Sequence, residues 1–220
     1  MSSQHSRRHR SSQSCLRLRV IRLAPAWSGG NITGLSIQAT DLAGKRLELL
    51  REVVPGLSRL AILVNVSNRL AMLEMGEVQA AARTLGLKVA NSQFRRAEDI
   101  APAFESLKGR ADALYICNDI LAVTNRNRIN ILAAGARLPT MTGIRELVEA
   151  GALLSYGANL PDLFRRAAEY VDKILRGAKP DDLPIQQPTK FELIVNMQTA
   201  EVIGLEIPPT LLARADEVIE

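Results

Sequence analysis

The body of this sequence predicts an α/β fold built on a Rossmann-like, doubly wound parallel sheet. Three observations carry that expectation. The runs RLAILVN (59–65) and ADALYICN (111–118) are continuously apolar, as strands covered on both faces are. Stretches with helical periodicity separate them, so that four strand-helix steps follow one another. The chain has 220 residues and 47% apolar side chains, enough for one large domain or one and a half ordinary ones.

Residues 1–30 are rich in Ser and Arg, then broken by Pro and Gly, and read as a disordered basic leader, with order expected from near Ile32. From Asp41, DLAGKRLELLREVV places Leu42, Leu49, Leu50, Val53 and Val54 on one helical face and stops at Pro55-Gly56. Strand 59–65 follows, then a helix over about 70–85 ending at Gly86 and a strand over 87–94. A helix is expected over 98–108, a strand over 111–118, a helix over 120–136 and a strand over 138–143. The short helical segment RELVEAG leads into strand ALLSYG (152–157) and a helix over 160–176. GAKPDDLPIQQP is a loop, FELIVN (191–196) a strand, and the chain is expected to end as helix, IPP, helix.

The helix over 160–176 sets a problem. Leu163, Phe164, Ala167, Ala168, Val171, Ile174 and Leu175 share one face. Burying its five large side chains is worth on the order of 10 kcal/mol, as much as a whole domain's net stability. The sequence therefore demands a partner for this face.

Charge and reactive side chains exclude several functions. The formal charge is +5, but residues 1–22 hold six arginines and no acid, so the remainder carries −1. The arginines at Arg7–Arg10 have no aromatic neighbours, and no nucleic-acid partner is expected. Both histidines, His5 and His9, and Cys15 lie in this leader, which leaves Cys117 alone in the body. Without a body histidine there is no Ser-His-Asp or Cys-His arrangement and no His/Cys metal cluster. Phosphate-loop and dinucleotide motifs are absent too, so no cofactor is expected and the chain reads as a non-enzyme. No apolar run reaches 18 residues, and the N-terminus lacks a secretory apolar core, so the chain as written is expected to stay in the cytoplasm.

Ligands of an open parallel sheet bind beyond the carboxyl ends of its strands. Here those ends run into Asn65, Ser67 and Asn68, into Asn118 and Asp119, and into Thr142, Gly143 and Arg145. Such a rim suits a small polar or zwitterionic solute, with Asp119 placed to take an ammonium and Arg145 a carboxylate. Asn, Ser, Asp and Thr at these junctions are equally the preferred helix N-caps, so the pattern marks a mouth and leaves the two roles open.

The run GNITGLSIQATDLAGKRLELLREVVPGLSRLAILVN, then ADALYICND, then LPTMTGIRELVEAGALLSYG through IPPTLLARADEVI, resembles ABC transporter substrate-binding proteins of the tryptophan/tyrosine type over about residues 29–219. The resemblance implies a periplasmic-binding-protein type I fold of two α/β lobes that close on a small organic solute, an amino acid among the candidates, and pass it to ABC permease subunits in the membrane. It also implies a periplasmic location. It assigns residues 31–150 to the second lobe, 151–184 to a strand-helix remnant of the first, and 185–220 to the return to the second. It extends the candidate site to Tyr156 and Gly157. On this reading the chain is truncated at its start, and the uncovered remnant could support a homodimer. A cytoplasmic ligand-sensing module of the same fold and a non-functional truncated product are the alternatives.

Overall fold

The structure, a computed structural model, describes residues 31–37 and 40–220; the leader expected over 1–30 lies outside the described residues. Helix α1 (Ala43–Val53) precedes strand β1 (Arg59–Asn65), followed by α2 (Arg69–Thr84), β2 (Lys88–Phe94), α3 (Ile100–Glu105) and β3 (Ala113–Ile116). Next come α4 (Ile120–Thr124), α5 (Arg126–Gly135), β4 (Thr140–Thr142), α6 (Arg145–Glu149), β5 (Leu154–Ala158) and α7 (Leu160–Leu175). The chain closes with β6 (Phe191–Asn196), α8 (Met197–Ile203), α9 (Pro209–Leu212) and β7 (Glu217–Ile219).

The strands form one sheet in the order β2-β1-β3-β4-β5-β6-β7. From β2 to β5 all pairs are parallel, β6 runs antiparallel to β5, and β7 is parallel to β6. Burial follows the alternation of the strands. Leu60, Ile62, Val64 and Tyr115 face α1 and α2, whereas Ala61, Leu63, Leu114 and Ile116 face α3, α5 and α6. Both sheet faces are thereby covered, which is why the central strands read as unbroken apolar runs.

Three expectations need correction. The helix expected over 120–136 is two helices, broken at Asn125, whose backbone leaves the helical region and whose side chain bonds back to Leu121 O. Residues 217–219, expected to be helical, form the edge strand β7. Most consequential, the strand in ALLSYG does not belong to another lobe: Met141 and Thr142 register with Leu154 and Ser155, and Leu154–Ala158 with Val195–Phe191. Leu153 and Leu154 are fully buried in the same core cluster as α1, α2 and the central strands.

The chain leaves this sheet after Ala158. Asn159 caps α7 by accepting from Asp162 N at 2.8 Å, and α7 then packs on a connecting segment, with Leu163 and Tyr170 buried and the Tyr170 hydroxyl donating to Pro184 O at 2.6 Å. That segment is tied to the start of the described chain: Ser36 N donates to Gln186 O at 2.8 Å and Gln186 N to Gly34 O at 3.1 Å. Phe164, Val171 and Leu175 stay 73%, 55% and 81% exposed. Much of this helix face therefore lies open among the described residues, whereas the strand before it has its partners in β4 and β6.

Candidate functional site

The carboxyl ends of β1, β3, β4 and β5 form one rim because these four strands are parallel and lie side by side. Asn68 ends the loop after β1 and caps α2, its Oδ1 accepting from Leu70 N at 2.9 Å. Asp119 does the same for α4, its Oδ1 accepting from Leu121 N at 2.8 Å. The two loops are laced together. Asn65 donates to both carboxylate oxygens of Asp119 at 3.2 Å, and Asn68 Nδ2 donates to Asp119 Oδ2 at 2.7 Å. On the neighbouring strand ends, Gly143 N donates to Asn118 Oδ1 at 3.2 Å, and Ile144 N to Thr142 Oγ1 at 3.3 Å.

This geometry revises two roles. Asp119 is buried and already accepts from two side-chain amides and two backbone amides, so it is a loop tie rather than an open ammonium receptor. Arg145 donates to Glu149 at 2.7 Å and to Glu217, with Glu192 at 3.6 Å. The bonds to Glu217 and Glu149 raise its pKa further, and three carboxylates already answer its charge. Among the described rim residues, the exposed Ser67 hydroxyl and the Asn118 side-chain NH2 keep hydrogen-bonding capacity. Beside them, Leu70 and Ile120 stand 70% and 73% exposed in the first turns of α2 and α4.

Tyr156 and Gly157 reach the rim from the same sheet. A Cβ on Gly157 would lie 2.5 Å from Gly143 O, so the end of β5 and the loop after β4 approach to a distance that only glycine permits. The Tyr156 ring turns to the α1 side and stacks on Phe191, with centroids 6.0 Å apart.

Beneath the rim lies a cluster that sequence reasoning missed. Arg46 and Glu74 are each 1% exposed and pair at 2.8 Å. Arg46 Nη1 also donates to Tyr115 Oη at 2.8 Å and Nε to Tyr156 O at 2.7 Å. Glu74 Oε1 accepts from the Tyr115 hydroxyl at 2.7 Å, while Oε2 accepts from Asn118 N at 2.7 Å. Burial raises the Glu74 pKa and Arg46 opposes that; burial likewise pushes up the Tyr115 hydroxyl and the Cys117 thiol, so Cys117 remains a protonated core residue. The available signal was that Arg46 shares a helical stripe with Leu49, Leu50 and Val53, and Glu74 one with Ala71, Val78 and Ala82: opposite charges at buried positions of consecutive helices.

Among the described residues, no group of three or more His, Cys, Asp or Glu could hold a metal ion, and no helix is long and apolar enough to cross a membrane.

The family model described as ABC transporter substrate binding protein matches residues 22–219. A tyrosine-binding protein of Clostridioides difficile (strain R20291) is 24% identical over 178 residues, 81% of this chain and 51% of that protein. A conserved domain protein from Vibrio cholerae superposes with a TM-score of 0.80 at 26% identity, covering 86% of this chain and 64% of that one. The ABC domain in complex with L-Trp from Streptococcus pneumoniae gives a TM-score of 0.78 at 25% identity, covering 87% and 66%. This chain thus spans about half the length of the curated relative and under two thirds of the Vibrio cholerae structure. A seven-stranded, mostly parallel sheet in the periplasmic-binding-protein type I pattern, matched by the family model along nearly its whole length, makes this chain a member of the ABC transporter substrate-binding protein family.

Proposed function

We propose that this chain supplies one wall of a solute-binding cleft in an ABC-type importer, and that its work is binding without catalysis. The observation that carries the reading is the convergence of the loops after β1, β3, β4 and β5 on one rim in a member of this family. The solute is a small organic molecule of the amino-acid class. Ser67, Asn118 and the backbone at Gly143 and Gly157 contact its polar groups, Leu70 and Ile120 offer apolar surface, and Asn65, Asn68, Asp119 and Thr142 hold the loops in place. The named ligands of two relatives, tyrosine and L-Trp, support an aromatic amino acid. Closure of a second wall, to which α7 and its connecting segment contribute, then expels water and delivers the solute to permease subunits on the periplasmic side.

One wall alone binds weakly, so the test is a nuclear magnetic resonance titration with L-tryptophan to about 10 mM, a range that reaches dissociation constants weaker than millimolar, and with L-tyrosine up to its lower solubility limit. Shifts confined to amides at 65–68, 118–121, 142–145 and 156–158 are expected. Shifts scattered elsewhere, or none, would overturn the reading.

The exposed stripe of α7 supports a homodimer as the finer reading of its partners. Antiparallel self-pairing about Ala167-Ala168 sets Leu160 against Leu175 and Phe164 against Val171, and brings Arg165 near Glu169 and Asp172 of the second copy. Light scattering that shows a mass doubling with concentration supports it; a constant monomer mass rejects it.

A further inference from the structure

We infer that Arg46 is the positioning residue of the solute site, a role that rests on the proposed binding function and goes beyond filling the core. Its guanidinium lies against two of the rim's four strand ends and reaches a third through Glu74. It donates to Tyr156 O in β5, and through Glu74 it holds Asn118 N after β3. Its Nη2 lies where Gly143, after β4, has no side chain: a Cβ there would sit 2.2 Å from Nη2 and 2.8 Å from Asn118 Nδ2.

The arrangement requires an arginine. Planar, multiply donating and fixed in direction, it reaches Glu74, Tyr115 and Tyr156 O at once, whereas a lysine ammonium is a single point at the end of a flexible stem. A buried ion pair is a poor source of stability compared with apolar side chains of the same volume. What this pair does supply is a fixed spacing between the loops at Asn118, Gly143 and Tyr156, the geometry on which a preorganised site depends.

The test compares the wild-type chain with Arg46→Met/Glu74→Gln. Gln keeps an acceptor for Asn118 N–H, and the pair is removed together, so neither charge is left buried alone. Amide hydrogen exchange at Gly143 is expected to accelerate at least about tenfold, with Leu63 and Leu114 in the sheet interior unchanged. The apparent L-tryptophan affinity is expected to fall by a similar factor. If the double variant does not fold, Arg46→Lys keeps the charge and loses the fork, and the same acceleration at Gly143 is expected. Unchanged exchange at Gly143 in whichever variant folds overturns the proposal. A wild-type chain that binds neither L-tryptophan nor L-tyrosine would refute the solute reading alone, because the exchange measurement decides the role of Arg46 without any ligand.

Discussion

Two regions of this molecule solve the same problem in opposite ways. Under the rim, two charges lie at 1% exposure and hydrogen-bond to each other, to the Tyr115 hydroxyl and to the backbone at Asn118 and Tyr156. On α7, apolar side chains stand in the open while the helix is held by Leu163, Tyr170 and bonds to its connecting segment. The first region is closed to solvent; the second leaves large apolar side chains exposed. Local composition misleads in both cases, since charge marks the interior and apolar surface marks the outside. The difference lies in which contacts the fold provides, and it is open to measurement.

The largest effect is expected from breaking the buried pair one-sidedly. Glu74→Ala leaves the Arg46 charge without its carboxylate and is expected to cost about 3–5 kcal/mol in urea unfolding. A loss below about 1 kcal/mol would mean that water reaches Arg46 and that the region is not closed as described.

Next comes Gly143→Ala, which drives a methyl into the guanidinium and is expected to cost about 1–3 kcal/mol. Combined with Arg46→Met/Glu74→Gln, the same change should cost at least about 1 kcal/mol less, because the flexible Met can yield the space. Strict additivity in this cycle would show that the two residues are not in contact.

Much of the interior was legible because it obeys periodicity. The strand expected over 59–65 is β1 residue for residue, since both its faces are buried. Asn68 and Asp119 were legible as polar junctions, but their two meanings, cap and ligand contact, were not separable from residue type; the hydrogen bonds show them serving as caps. The sheet assignment of β5 was illegible for a different reason. A strand followed directly by an amphipathic helix reads as one unit, yet here the chain departs after Ala158 and the two halves have different neighbours. Residues 217–219 escaped because three residues carry no period, and their strand character comes from pairing with β6.

A third, smaller effect concerns acid. Asp112 accepts from Arg59 at 2.6 Å and from Ser58 N and Arg59 N, and the Arg59 bond leads in lowering its pKa from 3.8 to about 2. A depressed carboxylate stabilises the fold above its unfolded pKa, and that contribution is lost as pH falls from roughly 4 to 2. Glu74 has the opposite sign: burial raises its pKa, so its contribution is present below its ordinary 4.5 and is lost as pH rises through the raised value. Asp112→Asn should remove about 1 kcal/mol of the stability difference between pH 5 and pH 2, the ion pair being partly exposed to solvent. An unchanged acid slope in the variant would place the acid-sensitive group elsewhere.

The smallest change in stability is expected where the sequence is most apolar. Phe164 is 73% exposed, so Phe164→Ser removes little buried surface and should change the unfolding free energy of dilute monomer by no more than about 0.5 kcal/mol. The same residue should matter when the face is covered. At concentrations where light scattering detects a dimer, pairing of Phe164 with Val171 of a second copy makes Phe164→Ser shift the equilibrium to monomer by about tenfold or more, as the loss of one buried aromatic contact at an interface does. A destabilisation above about 2 kcal/mol in the dilute monomer would show that α7 folds back and buries this face within one chain. In that event the contrast between the two regions would collapse, and both would be ordinary core.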